Sequence, residues 1–322
     1  MTQFPFFARL LLGLILSGAA VAETRPVIRV GALAFGTLNW ELAVIRTQGL
    51  DQANGVTLES TELASPEAGR IGLQGHSLDV VVSDWIWVAQ QREQGHDYAF
   101  APFSSSHGAL MVAGDAPVHS LADLKGKRLG VAGGGLDKNW LLLTALAQQQ
   151  ERLDLARAAS VSFGAPPLLS QALQQGQLDA VLTYWNFAAK LETRGYRQLM
   201  DGRQLQKALG IEEEVPSLGY VFSRSWAQTH PAAIVGFLKA TAEARRRLCE
   251  SEDTWHSVIA LTQETEPATL ASLRRHYCEG RVTRDMGPKE QTAAQRLFDL
   301  IQMAQSAKPR PLPSDLFWKS TP

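Results

Sequence analysis

The sequence predicts an α/β fold in which two similar lobes are built from parallel-type sheets covered by helices. Short apolar segments typical of buried strands alternate with helical segments along the first two hundred residues. The chain also matches itself at an offset of one hundred residues, since Asn39-Trp40 recurs as Asn139-Trp140 and segment 78–85 recurs as 178–185. The shared order and separation of the two matches indicate two lobes of similar construction.

Composition restricts the function classes. The 322 residues are 45% hydrophobic and 20% charged, which is typical of a globular chain long enough for two domains and excludes disorder and coiled coil. Lys and Arg number 31 against 32 Asp and Glu, giving a formal net charge of −1. Without a basic excess, the chain shows no sign of a nucleic-acid-binding surface.

The first 22 residues have the pattern of a secretory signal peptide. Arg9 precedes the apolar run Leu10–Leu16, and small residues end in Ala20-Val21-Ala22, an A-x-A cleavage site. The run is shorter than the roughly 20 residues that span a bilayer. Glu23 stands where a lipid anchor would need a cysteine. We therefore expect residues 1–22 to be cleaved and the mature protein to be exported.

The predicted elements follow one another in two units. The first unit has strands at 27–34, 56–63, 78–83, 98–103 and 109–113, and helices at 39–52, after Ser65-Pro66 and at 85–94. The second has strands at 129–132, 159–163 and 178–183, and helices at 138–149, 167–175 and 186–194.

The last hundred residues are predicted to be mostly helical after a strand at 218–223. Two helices are indicated by residues at i, i+3, i+4 and i+7, which are Ile234, Phe237, Leu238 and Thr241 in one and Ala294, Leu297, Phe298 and Ile301 in the other. Residues 308–322 contain four prolines and are predicted to form a surface tail.

The two cysteines, Cys249 and Cys278, lie in helical sequence of an exported chain, where disulfides persist. A bridge closing about 30 residues would add roughly 3–4 kcal/mol to stability in the chain-entropy model. Two separate buried thiols are the alternative. A metal pair or catalytic thiol lacks support, because no His or Cys cluster stands nearby at ligand spacing, and no metal or cofactor is expected.

The repeat also locates a candidate site. Ligands of open parallel sheets bind at the carboxyl ends of the strands, where helix N-termini converge. Both copies place Asn-Trp and a further Trp at these ends. We expect at least two of four tryptophans to line a cleft between the lobes, the others being core, and Asn39 and Asn139 either to line it or to cap helices. The four are Trp40, Trp85, Trp140 and Trp185.

Polar residues near the same strand ends complete the candidate site. Gly134 lies in a glycine run that would let backbone amides approach a ligand. The other candidates are Thr37, Ser83, Asp84, Ser105 within the run 104–106, His107, Asp137, Lys138, Tyr184 and Asn186. A Ser–His catalytic pair at 104–107 is disfavoured, since neighbours on a strand rarely converge.

Three segments carry a resemblance to a known family. Residues 120–131 (SLADLKGKRLGV), residues 172–181 (ALQQGQLDAV), and Tyr220-Val221-Phe222 followed by Pro231 are similar to the periplasmic solute-binding proteins of ABC importers, in the nitrate/sulfonate/taurine-type branch. The resemblance extends over about residues 27–300. It implies a type II periplasmic binding fold with lobe one at 27–113 and 215–307, lobe two at 114–214, crossovers near 113–117 and 209–217, and a ligand cleft between the lobes.

The function implied by the resemblance is that of a periplasmic solute-binding subunit of an ABC importer. Such a subunit captures a small organic or oxyanionic solute and delivers it to a membrane permease with its ATPase. We expect a monomer that contacts the membrane only through the permease. The alternative is a periplasmic sensor or accessory binding protein for a membrane receptor or a periplasmic enzyme.

An enzyme is not expected. The thiamine-pyrimidine synthases that share this fold carry a cysteine-rich iron site, and this chain has two distant cysteines and no hydrolase motif. The ligand class stays open. A sulfonate or nitrate site should bring Arg or Lys with backbone amides, and only Lys138 offers itself. Tryptophans beside Asp84 and Asp137 would suit a heteroaromatic or a quaternary-ammonium-like cation.

Overall fold

The computed structural model describes residues 25–319, so the expected signal peptide at 1–22 lies outside the described residues. Two five-stranded sheets organise the rest of the chain. The first segment contains β1 (Val27–Leu33), α1 (Leu38–Gln48), α2 (Leu50–Ala53), β2 (Thr57–Leu63), α3 (Pro66–Gln74), β3 (Val80–Ser83), α4 (Trp85–Glu93) and β4 (Tyr98–Ser104).

The chain then builds a second lobe and returns to the first. Lobe two contains β5 (Ala109–Ala113), a 3-10 turn (Ala122–Leu124), β6 (Arg128–Ala132), α5 (Lys138–Glu151), α6 (Leu155–Ala158), β7 (Ser160–Gly164), α7 (Pro166–Gln174), β8 (Ala180–Thr183), α8 (Trp185–Glu192), β9 (Tyr196–Asp201) and α9 (Gly202–Ala208). The return to lobe one contains β10 (Leu218–Ser223), α10 (Arg224–Thr229), α11 (Pro231–Glu250), α12 (Glu252–Thr262), α13 (Pro267–Glu279) and α14 (Pro288–Ala304).

The two sheets have the same topology. Their strand orders are β2-β1-β3-β10-β4 and β7-β6-β8-β5-β9. The first three strands of each order are parallel, and the fourth is antiparallel to both of its neighbours. Helices cover both sheets, and the predicted two-lobed α/β fold is confirmed.

The repeat extends to an ion pair at the start of each sheet. Arg29 donates its backbone amide (2.8 Å) and its guanidinium (2.6 Å) to Asp79, which precedes β3. Arg128 makes the same two bonds to Asp179 before β8, at 2.7 and 2.6 Å. In both lobes an aspartate therefore fixes the first parallel strand to the third.

The first crossover lies earlier than expected. Strand β5, which the sequence assigned to the end of lobe one, pairs in the second sheet with β8 and β9. The chain therefore passes between the lobes at residues 105–108, not near 113–117. Gly108 is required there, because a Cβ at this position would collide with the backbone carbonyl of Thr183. The return passage lies between α9 and β10.

Residues 308–319 do not form a free surface tail. Leu316 is fully buried. The Phe100 amide donates to the Leu316 carbonyl (2.9 Å), and the Trp318 amide donates to the Phe100 carbonyl (2.8 Å), so this segment continues the first sheet beside β4. Phe317 packs against Trp85 and Phe100. Burial of these apolar side chains outweighs the tendency of the prolines to stay in solvent.

Helices of lobe one also contact lobe two. Helix α13 packs on α8, and α14 packs on α5. A disulfide between Cys249 and Cys278 joins the end of α11 to α13. Within the described part of the chain, no helix is both long and apolar enough to cross a membrane.

Candidate functional site

A cavity of about 120 Å³ lies between the lobes at the carboxyl ends of β1, β3, β6 and β8. Its volume is on the order of ten water-sized sites, which suits a small solute. Eleven predicted residues line it, and they come from both lobes and the crossover between them: Thr37, Ser83, Asp84, Ser106 of the serine run, Gly134, Asp137, Lys138, Asn139, Tyr184, Trp185 and Asn186. Leu33, Leu38, Leu63, Val82 and Leu218 add apolar surface.

The expectation of two or more cleft tryptophans is wrong, because only Trp185 borders the cavity. Trp40, Trp85 and Trp140 are buried core residues. Trp40 packs against Trp255 and Tyr277 with centroid distances of 5.5 Å, and Trp185 lies edge-on to Trp40 at 6.1 Å. The rotation of each helix about its axis determines which way its indole points, and the sequence repeat alone does not reveal that rotation.

The two repeat asparagines have different roles. Asn39 does not line the cavity, since its Nδ2 donates to the carbonyls of Leu33 (2.7 Å) and Gly36 (3.1 Å) and fixes the loop after β1. Asn139 lines the cavity and is 2% exposed, and its Oδ1 has no hydrogen-bond partner among the described residues. A buried acceptor in this state is costly unless a ligand or water supplies a donor.

Five helix N-termini, those of α1, α3, α4, α5 and α8, meet at the cavity. The Ser65 hydroxyl caps α3 by accepting from the Ala68 amide (3.3 Å). Asp84 caps α4 by accepting from the Trp87 amide (2.8 Å), and Asp137 caps α5 by accepting from the amides of Asn139 (2.9 Å) and Trp140 (3.4 Å). Helices α1 and α8 have no side-chain cap in the described structure. One carboxylate from each lobe is thereby held at the cleft.

Sequence reasoning missed two charged residues of α3, Glu67 and Arg70, which also line the cavity. An Arg70 guanidinium nitrogen lies 4.0 Å from Asp84 Oδ2, and the guanidinium stacks over Trp87 at 5.2 Å. Glu67 Oε1 lies 3.5 Å from where a Cβ on Gly134 would stand, so it reaches across to lobe two. The sequence feature that could have indicated them was their i, i+3 spacing after Ser65-Pro66, where the helix begins.

The cleft is short of positive charge. Three carboxylates (Glu67, Asp84 and Asp137) face two cations (Arg70 and Lys138). The pKa of Asp137 is raised, mainly because it is buried and further by the Asp84 carboxylate, against the opposing effect of Lys138 and of the two capping amides. Burial, with Asp137 and Glu67 nearby, also holds the pKa of Tyr184 well above its ordinary value, so its hydroxyl stays protonated.

The remaining predicted residues lie outside this cavity. Ser105 and His107 border a second cavity of about 190 Å³ behind the first crossover. Burial, reinforced by Lys138 and Arg203, lowers the pKa of His107 to about 3, so the ring is neutral. Neither ring nitrogen has a hydrogen-bond partner among the described residues, so the ring is not hydrogen-bonded to a serine there. No metal-binding group of three or more His, Cys, Asp or Glu side chains occurs in residues 25–319.

A sequence model described as NMT1/THI5 like matches residues 52–253, well over half of the chain. The chain belongs to the NMT1/THI5-like family. Over 169 residues this NMT1/THI5-like protein is also 27% identical to an Escherichia coli K12 protein named "Putative aliphatic sulfonates-binding protein". The match covers 52% of this chain and 49% of the relative, so the chain spans about half the length of the curated relative it matches.

Solved structures share the architecture of this NMT1/THI5-like protein. The alkanesulfonate-binding protein SsuA of Xanthomonas axonopodis pv. citri, bound to MOPS, is 18% identical with a TM-score of 0.70, covering 91% of this chain and 98% of that chain. The periplasmic aliphatic sulphonate-binding protein SsuA of Escherichia coli is 19% identical with a TM-score of 0.68, covering 91% and 92%. The fold is therefore that of the two-lobed periplasmic binding proteins, as the sequence resemblance implies.

Proposed function

We propose that this protein is the exported solute-binding subunit of an ABC importer, which captures a small organic or oxyanionic solute between its lobes and delivers it to a membrane permease. The main observation that supports this proposal is the cavity between the lobes. Both lobes supply polar side chains to one cavity, and two buried polar atoms there, Asn139 Oδ1 and Arg70 Nε, lack partners among the described residues. A bound solute would satisfy them.

The relatives support the same role. The matched Escherichia coli protein and both SsuA structures are named as sulfonate-binding proteins, and one of them is named as periplasmic. We extend to this chain the periplasmic location, and we propose, as the family resemblance implies, that it acts as a monomer with a permease and its ATPase as partners. A binding role, rather than catalysis, fits a chain in which the His107 ring is neutral and makes no hydrogen bond to a serine hydroxyl among the described residues.

Solute binding acts on the contacts between the lobes. Asn186 Nδ2 donates to the Phe35 carbonyl across the cleft (3.3 Å). Lys190 of α8 and Arg194, which follows that helix, pair with Glu264 before α13 at 3.2 and 2.9 Å. A solute that touches both lobes stabilises this contacting state by the difference between its affinities for the contacting and separated lobes. The permease would then recognise the joined outer faces.

Thermal shifts and calorimetry with the mature protein test binding, over a panel of nitrate, sulfonates, amines, pyrimidines, flavins and metal ions. A solute at one hundred times its dissociation constant should stabilise the protein by about 2.7 kcal/mol. Asn186→Ala should lower the affinity for the solute that binds best by about three- to tenfold, which corresponds to the loss of one hydrogen bond. Asn54→Ala, which removes a bond within lobe one (2.7 Å), is the matched control and should leave affinity unchanged.

Uptake separates the importer from a sensor. A strain lacking the protein should lose import of the solute found in the panel. Normal uptake in that strain would contradict the importer role and favour a sensor or accessory protein. The absence of any stabilising solute in a folded protein would contradict solute binding itself.

A further inference from the structure

The charges of the cleft bear on the class of solute, which the proposed function leaves open. Resting on that function, we infer that the solute is a small organic cation, an amine in its protonated form, held between Asp84 of lobe one and Asp137 of lobe two. The relatives' names point instead to anionic ligands, so the inference distinguishes this chain from them.

The two carboxylates have acceptor capacity left for a ligand. Asp137 uses Oδ1 for both capping bonds, which leaves Oδ2. Asp84 uses Oδ1 for its cap, and its Oδ2 has Arg70 only at 4.0 Å, longer than a hydrogen bond. Because the two aspartates come from different lobes, a donor between them bridges the lobes.

Charge balance favours a monocation. The lining carries one carboxylate more than its cations, so a monocation brings the occupied cavity to neutrality, a zwitterion leaves one excess negative charge and a sulfonate leaves two. Uncompensated charge in a partly dry site is costly. Burial is the main cause of the raised pKa of Asp137, and the Asp84 carboxylate raises it further, as expected for two like charges that line one cavity.

An independent observation is the buried amide of Asn139. Its Oδ1 is an acceptor without a partner in the described structure, on a side chain 2% exposed that borders the cavity. An ammonium group carries three donors and could satisfy this oxygen together with the two carboxylates. The rings of Phe103, Tyr184 and Trp185 line the same cavity and suit the alkyl or cationic part of an organic amine.

The helix caps give the second reason to disfavour an oxyanion. The carboxylates of Asp84 and Asp137 already occupy the N-termini of α4 and α5, which would otherwise attract an anion. Of the helices that begin at the cavity, α1 and α8 have no side-chain cap.

The test compares probes matched in size by calorimetry on the mature protein: propylammonium, propanesulfonate and 3-aminopropanesulfonate. We expect the ammonium ion to bind at least tenfold tighter than the sulfonate, with the zwitterion between them. Asp84→Asn and Asp137→Asn keep the cap but remove the charge. Each should lower the affinity for the ammonium ion at least tenfold without lowering the affinity for the sulfonate. Asp201→Asn, at the α9 cap outside the cleft, is the matched control and should change neither.

Tighter binding of the sulfonate or the zwitterion than of the ammonium ion would overturn the inference and leave the solute-binding function standing. Equal ammonium affinity in wild type and both aspartate variants would also overturn it. Failure of these three probes and of the wider panel would overturn the inference and the proposed function together.

Discussion

In lobe one, the helix after the first strand (α1) has no side-chain cap and the helix after the third strand (α4) is capped by Asp84. In lobe two this arrangement is reversed, since Asp137 caps α5 and α8 has no side-chain cap. Asn39 fixes a loop, whereas its counterpart Asn139 lines the cleft and its Oδ1 has no hydrogen-bond partner among the described residues. The strand order and the Arg–Asp pairs repeat, whereas the groups at the cleft do not. The repeat is thus seen in the sheets, and the positions where it fails are those of the side chains that line the cleft.

The largest difference between the lobes lies one residue beyond each Asn-Trp pair. Glu41 is buried and accepts from Tyr220 (2.6 Å), Tyr277 (2.9 Å) and Arg245 (2.9 Å), whereas the repeat position in lobe two is the buried apolar Leu141. Glu41→Ala should destabilise the protein by about 3–5 kcal/mol in urea unfolding, because Arg245 is left buried and unpaired.

A double variant sharpens this comparison. Glu41→Leu with Arg245→Met gives lobe one the apolar character of lobe two, and it should recover most of the loss, since replacing both members of a buried pair is often close to neutral. A double variant no more stable than Glu41→Ala would show that the tyrosine hydroxyls, rather than the uncompensated arginine, determine the cost.

The second comparison is between Trp85 and Trp185, which begin equivalent helices. Trp185→Ala should weaken solute binding by about 1–3 kcal/mol, the range of aromatic stacking losses, because Trp185 borders the cleft. Trp85→Ala should cost about 3–5 kcal/mol of stability, because this indole is buried against Phe298 and Phe317.

Calorimetry and urea unfolding of both variants separate the two effects. With the variants kept folded by low temperature, Trp85→Ala should bind the solute with wild-type affinity. Unchanged affinity in Trp185→Ala would remove this residue from the site.

Sequence patterns predicted most strands and helices because each depends on local periodicity. Of the residues that the repeat singled out, Asn139 and Trp185 line the cleft, and the other predicted residues there were found as polar or glycine residues near the strand ends. The location of β5 was not predictable, because its pairing with β8 and β9 is decided by distant sequence. The facing direction of Trp40 and Trp140 depends on how each helix rotates against its lobe. Arg70 was missed because its repeat position is Ser170, so the repeat did not mark it.

A third comparison tests whether the side chains around the two sheets are packed equally closely. Gly31 in β1 and Gly130 in β6 face equivalent leucines, and an added Cβ would lie 2.7 Å from Leu78 Cδ1 in one case and 2.6 Å from Leu178 Cδ1 in the other. Each Gly→Ala change should destabilise by about 1–3 kcal/mol, the usual cost of overpacking. The two losses, measured by urea unfolding, should agree within about 0.5 kcal/mol. A much larger loss in one lobe would contradict the equivalence of the scaffolds.

The smallest effect is a pH dependence confined to lobe two. Because the pKa of Asp137 in the folded protein is raised above its ordinary value of 3.8, the folded state binds this proton more tightly than the unfolded state. Below pH 3.8, where both states are largely protonated, the Asp137 carboxyl therefore does not reduce the free energy of unfolding. As the pH rises through the folded-state pKa, ionisation of this carboxyl increasingly destabilises the folded state.

Asp137→Asn keeps the cap, so in the absence of solute the variant should match wild type near pH 3.5 and become progressively more stable than wild type toward pH 7. Thr37→Asn at the equivalent helix of lobe one introduces the same side chain without removing a charge, and its stability difference from wild type should not vary with pH. A constant difference for Asp137→Asn over the same range, measured by thermal unfolding, would show that the cleft charges of the two lobes are already balanced without a solute.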